Sequence, residues 1–361
     1  MTGKERTLRA LNHEPIGRYP VAGGLVQNAP FLARCAGVAD FWEAPRRTLF
    51  EAFRRLGCDA ILGPVMPKAP ASTTQDASGR STDFTRHGPA PELTTPDQVA
   101  RWAASVPSPE EVRASFDRGK AIAEYLALFD EGSRECPDML LIPHCLGYAP
   151  AFPTSDGYFT YEAFLMACRL HTAELAHLFW HWGEQARLRF EAVAEATRRH
   201  GLLPLIWTGQ DLCDAKGPVM SPDLLEALYF PVLERAFEPL KEAGIRIVWH
   251  TDANYRRLLP RMIELGIDGF QGFYESEGGV RIEDLARLRM RSGAPPILFG
   301  SVSTVWVLPG GSVGDVEREV DRCVEAARAG GAALILAPSS SIGPEVPEEN
   351  VRALFGHATS L

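Results

Sequence analysis

The chain reads as an α/β protein of the (β/α)₈ TIM-barrel class. Three observations predict it: eight short apolar runs rich in Val, Ile and Leu, amphipathic helix-length stretches between them, and a length of 361 residues. Eight strand-then-helix units over that length fit a barrel with insertions better than an open doubly wound sheet. The hydrophobic share of 45% and charged share of 23% are those of an ordinary globular chain. No second domain is required, so residues 1–361 are expected to form one barrel.

The strands are expected, in order, at Tyr19–Gly23, Asp59–Gly63, Met139–Pro143, Leu203–Trp207, Ile245–Trp249, Gly269–Phe273, Pro296–Gly300 and Ala332–Ala337. Helical periodicity covers Tyr161–His200, Pro222–Ala243, Tyr255–Leu265, Ile282–Arg291 and Val313–Arg328. The segment from Lys68 to Pro109 breaks the rhythm, being rich in Ser, Thr, Pro and Asp. It is expected to be an insertion after the second strand, a hairpin and loop acting as a lid over the barrel mouth, or else an excursion without function.

Composition narrows the function. A formal net charge of -9 argues against a nucleic-acid binder and against an anionic membrane surface, since both need a basic face. The seven cysteines, at 35, 58, 136, 145, 168, 213 and 323, show no C-x-x-C spacing, so reduced thiols are expected. The N-terminus lacks an apolar signal core, and no apolar stretch approaches the ~18 residues of a membrane span. These features lead us to expect a cytoplasmic protein, monomeric or homodimeric, acting on a small molecule. No Gly-rich phosphate fingerprint occurs.

In a barrel the active site is built just past the C-terminal ends of the strands. Those positions hold His144 and Cys145, then Gln210 and Asp211, then His250, Asp252 and Asn254, then Tyr274, Glu275 and Glu277, then Ser301 and Ser303, and last Ser339, Ser340 and Ser341. A core needs none of these groups, and burying them unpaired costs ~1–3 kcal/mol each. Together they imply a polar pocket. His250 and Asp252, two apart at a strand end, point the same way.

Two chemistries suit this set. His250 with Asp252, Glu275 and Asp211 has the N/O ligand types for zinc or another divalent ion; His250, Asp252 and Glu275 are the expected ligands. Alternatively the site is metal-free, with Asp211 or Glu275 orienting His250 for acid/base work. The bland alternative, a barrel-top histidine bonding its neighbours, stays open. Trp207, Trp249 and Trp306 flank strand ends and suit either a flat wall for a ring-bearing substrate or barrel packing. His177 and His181, four apart on a helix among aromatic residues, are expected to be a packed helix face.

Thr2–Arg18, Gly217–Pro222, the Trp249-His-Thr-Asp segment, Phe299–Ser303 and Ala337–Asn350 look like the uroporphyrinogen decarboxylase superfamily, whose members are (β/α)₈ barrels. The superfamily contains tetrapyrrole decarboxylases and corrinoid-linked methyltransferases. The decarboxylases carry an Arg-Gln-Ala-Gly-Arg segment after the first strand and an aspartate ending the second. Here those regions read Ala22-Gly-Gly-Leu-Val-Gln-Asn28 and Gly63-Pro-Val-Met66, so a polycarboxylate tetrapyrrole would lack its electrostatic partners. The methyltransferases hold zinc with H-x-C and a distant Cys; the matching positions look like His250, Asp252, and Ser340 or Ser341, without thiolates.

The resemblance therefore implies a methyl-group transferase, demethylase-like, moving a methyl between a small, ring-bearing substrate and a corrinoid or folate carrier, with the corrinoid on a partner protein. His250, Asp252 and Glu275 would organise the reacting heteroatom, with His144 and Asp211 as further catalytic candidates. Gln210, Trp207, Asn254, Tyr274, Ser301 and Ser340 are the expected substrate contacts. Decarboxylation of a non-porphyrin acid and a non-catalytic binding barrel are the alternatives.

Overall fold

A computed structural model describes residues 1–68, 92–152, 158–273 and 279–361. All eight expected strands form: β1 (Ala22–Gly23), β2 (Ala60–Leu62), β3 (Leu140–Ile142), β4 (Leu205–Gly209), β5 (Arg246–His250), β6 (Gly269–Gln271), β7 (Ile297–Phe299) and β8 (Ala333–Ile335). They pair in parallel as β1–β2–β3 and as β4–β5–β6–β7–β8. Two further parallel bridges join the sets: His144 with Trp207 beyond β3, and Val21 with Leu336 between β1 and β8. The second is fixed by Ala22 N donating to Leu336 O at 2.7 Å and Leu336 N to Pro20 O at 2.8 Å. The eight strands thus return on themselves as a barrel.

The period of two along each strand sorts the apolar residues into two cores. Leu62, Ile142, Leu205, Trp207, Val248, Phe299 and Ile335 fill the inside of the barrel. Ile61, Leu141, Ile206, Ile247, Trp249, Phe270, Leu298 and Leu334 face outward against the helices. Trp249 therefore packs edge-on to Phe237 on the outer side, rings 6.1 Å apart, and the expectation that it flanks the site is corrected by that outward register.

The N-terminal end of the barrel is plugged by the helix Gly3–Leu11, opened by a Thr2–Glu5 capping box, and Leu11 joins the inner core. Asp59, 3% exposed at its side chain, receives Arg6, Arg18 (Nη1 to Oδ2, 2.6 Å) and the Val21 amide (3.0 Å). This locks the entry segment to the start of β2. A cavity of about 370 Å³ at this same end, lined by Lys4, Leu8, Met139 and Leu203, lies away from the strand ends that carry chemistry.

Several helices are shorter than their periodicity suggests. Tyr161–His200 is interrupted at His171, and Pro222–Ala243 divides into Pro222–Leu228 and Phe230–Glu242, where Pro231 starts the second piece because its missing N–H suits a first turn. Of the expected insertion, residues 69–91 lie outside the described part. Residues 92–109 carry a helix in place of the expected hairpin: Thr95 caps Pro96–Ala103, and Ser108 caps the helix beginning at Pro109. Trp102 of the first piece packs on Tyr158, Phe159 and Trp182, fastening it to the helical layer. His177 Nε2 and His181 Nδ1 meet the Val106 and Pro107 carbonyls at 2.9 and 2.8 Å, the packed role expected for them. All seven cysteines are unpaired and buried. No helix among the described residues is long and apolar enough to cross a membrane.

Candidate active site

Register places the central pair. His250 pairs with Gln271 across β5 and β6, both two residues past inward-facing positions, so both side chains enter the barrel mouth. His250 Nδ1 meets Gln271 Oε1 in a short hydrogen bond, and Gln271 Nε2 donates to Ser339 O at 2.8 Å. His250 Nε2 lies 3.9 Å from Asp252 Oδ2. The same carboxylate oxygen accepts from Ser340 Oγ at 2.9 Å, and the Asp252 amide donates to Asp211 Oδ1 at 3.3 Å. Four strand ends, β4, β5, β6 and β8, thus meet on one histidine–aspartate pair.

Gly272 makes this approach fit. It holds φ +81°, and a Cβ there would sit 2.3 Å from Asp252 Oδ1 and 2.9 Å from His250 Nδ1. Burial raises the Asp252 pKa above the ordinary carboxylate value; His250 and the Ser340 hydrogen bond oppose the rise, and the Asp211 charge adds to it. Asp252 therefore keeps its proton to higher pH than a solvated aspartate. The side chain is still 38% exposed, so it exchanges protons with solvent.

Trp207, 1% exposed, forms the floor between two imidazoles, with ring centroids 5.3 Å from His144 and 6.2 Å from His250. Its indole N–H has no hydrogen-bond partner among the described residues. The pKa of His144 is pushed down, first by burial of its ring and then by the neighbouring His250, so the ring is a neutral group near pH 7. His144 also lines a cleft of about 230 Å³ with Tyr148, Arg189 and Glu124. Arg189 escapes sequence reading because it lies in the middle of Thr172–His200, far from any strand end.

The remaining expected contacts divide. Ser340 is at the centre. Ser301 is 1% exposed and its hydroxyl donates to Phe273 O at 3.5 Å, so it is turned into the backbone instead of toward a substrate. Asn254 accepts from the Arg256 amide at 3.4 Å, a turn-forming bond of the kind Asn favours. Gln210 sits half-buried beside Asp211 after β4. Trp306 is 60% exposed; Ser303 Oγ accepts from its amide, while Thr304 N bonds Ser339 Oγ, which ties this loop to the residue preceding Ser340. Tyr274, Glu275 and Glu277 lie outside the described residues.

The expected metal set is His250, Asp252 and Glu275. Among the described residues no three His, Cys, Asp or Glu side chains converge, and His250 and Asp252 supply two donors facing each other. Cys145 and Cys213 do not replace the missing thiolates: both are buried with raised pKa, Cys213 to about 12. Of the two His250 nitrogens, Nδ1 is bonded to Gln271 and Nε2 faces the Asp252 carboxyl, whose pKa burial raises.

Residues 210–361 match the family described as uroporphyrinogen decarboxylase (URO-D). Among solved structures, a methyltransferase from Methanosarcina mazei shares the fold with a TM-score of 0.60 at 20% identity, covering 100% of this chain and 99% of that one. No curated protein matches the chain significantly. The family match spans the C-terminal residues that carry Asp211, His250, Asp252 and Ser340, and the likeness of fold runs end to end. The match to the uroporphyrinogen decarboxylase (URO-D) family thus lies in residues 210–361, and the likeness of fold to the solved methyltransferase covers the whole chain.

Proposed function

We propose that this protein is a methyl-group transferase that takes a methyl from the heteroatom of a small, ring-bearing compound and passes it to a corrinoid or folate carrier. The observation that carries the reading is the His250–Asp252 pair, 3.9 Å apart at the barrel mouth and braced by Gln271 and Ser340. The carrier, a corrinoid on a partner protein being the form we favour, supplies the nucleophile that accepts the methyl group. When the carbon–heteroatom bond breaks, its electron pair stays on the heteroatom, which needs a proton to leave as an alcohol, amine or thiol. Asp252, whose pKa burial raises, is the group we assign to deliver that proton, directly or through His250 Nε2, and to regain one from solvent at its open edge. Trp207 and neutral His144 floor the pocket, and Trp306 offers an aromatic face at its rim. The fold shared with a solved protein described as a methyltransferase supports methyl transfer as the reaction class.

The test is a panel of aryl methyl ethers, methylamines and thioethers incubated with cob(I)alamin or tetrahydrofolate, following the methylated carrier. Transfer that falls by about 10²-fold or more in His250→Ala and Asp252→Asn is expected, the usual scale for loss of a proton donor. No transfer from any class to either carrier would overturn the reading.

One observation favours a second reading, decarboxylation of a non-porphyrin acid. Arg189, beside His144, is a cation near the mouth that forms no ion pair among the described residues and could hold a carboxylate. In that case Arg189→Met would weaken binding of small aromatic acids, with His250 or Asp211 protonating the carbanion left by carbon dioxide.

A further inference from the structure

We infer that Gln271 is a positioning residue that fixes His250 as its Nδ1–H tautomer, leaving Nε2 as the nitrogen that meets the reacting group. The inference deepens the reading of His250 as an acid/base residue and is measured independently of it. Gln271 is 1% exposed, a buried polar side chain at an inward position of β6. Such a group persists in a core when its bonds are made, and both ends of this amide are used. The Ser339 carbonyl can only accept, so the end of Gln271 at 2.8 Å from it must be the NH₂. That leaves Oε1, an acceptor, against His250 Nδ1, which must then carry the hydrogen.

The opposite choice fails at two places. Turning the amide over would set Oε1 against the Ser339 carbonyl oxygen, and moving the proton to Nε2 would set two lone pairs against each other at Nδ1. A main-chain carbonyl thereby dictates the histidine tautomer through one glutamine. The consequence is directional: the Nε2 lone pair is left facing Asp252 Oδ2 at 3.9 Å. The bond between His250 and Gln271 crosses adjacent strands, so the imidazole plane is fixed to the barrel wall, not to a loop.

The experiment is long-range proton–nitrogen correlation on protein labelled with ¹⁵N-histidine, at a pH where the ring is neutral. The His250 signal is identified by its loss in His250→Ala among the nine histidines. In the parent protein we expect Nδ1 in the protonated, pyrrole-type region and Nε2 in the unprotonated, pyridine-type region. Gln271→Leu, which removes the acceptor, should shift the ring to the Nε2–H form. A parent spectrum with Nε2 protonated, or a Leu variant with the pattern unchanged, would overturn the inference. The parent spectrum decides even if the Leu variant does not fold. Should no methyl transfer be found, the tautomer pattern still stands or falls alone.

Discussion

Gly272→Ala probes how tightly the site is built into the barrel. The new Cβ would lie 2.3 Å from Asp252 Oδ1, so the carboxyl must move, and His250 Nδ1 at 2.9 Å must move with it. The left-handed backbone at φ +81° adds ~1–2 kcal/mol for any side chain, offset by about 0.4–1 kcal/mol from a stiffer unfolded chain. Gly244→Ala is the matched control: it has φ +66° and nothing within 4 Å of the added Cβ. The two variants share the backbone cost and differ in the contact. Losing the Ser340–Asp252 and Gln271–His250 bonds adds ~1–3 kcal/mol for each group left unpaired. With an unfolding entropy of ~2.1 cal/mol/K per residue, 361 residues give roughly 0.76 kcal/mol/K. The control should therefore lose about 1 kcal/mol and ~1–2 °C, and Gly272→Ala about 3–7 kcal/mol and ~4–9 °C. Calorimetric melting of parent and both variants under one buffer measures this. Equal shifts in the two variants would refute the claim that Asp252 and His250 are wedged against the strand end.

Two further outcomes follow from the same geometry. Asp59→Ala strands two half-buried guanidiniums and the Val21 amide at the N-terminal end, and should cost ~3–5 kcal/mol, seen as a comparable drop in Tm with the methyl-transfer assay per folded molecule unchanged. Asp252→Asn should raise stability near neutral pH. The folded-state pKa of Asp252 lies above its unfolded value, so its contribution is intact below the ordinary carboxylate pKa and is lost as pH rises through the folded one. The asparagine removes that loss, and melting curves of parent and variant should converge in acid and separate toward neutrality; a gap that does not depend on pH would contradict the raised pKa.

Fold and site were legible to different degrees. The strands showed because fully buried parallel strands are continuous apolar runs, and Ile245–Trp249 is one. His250 and Asp252 showed because two polar groups ending such a run have no packing reason to be there. Gln271 was hidden inside Gly269–Phe273, which reads as core; its signal was a single amide at an inward position, legible only once register sets it beside His250. Arg189 was hidden because a helix interior carries charges for many reasons, and only the tertiary fold brings this one to His144. Trp249 misled because a strand end does not reveal which face its last residue takes until the inner core is known.

Methyl transfer and decarboxylation are separated by a methoxybenzoate labelled with ¹³C in its methyl group and ¹⁴C in its carboxyl, offered with cob(I)alamin in a single incubation. We predict ¹³C appearing in methylcobalamin, the phenol acid released with its ¹⁴C retained, and both lost in Asp252→Asn. Release of ¹⁴C-carbon dioxide with the methyl ether intact would contradict the account and assign the His250–Asp252 pair to decarboxylation.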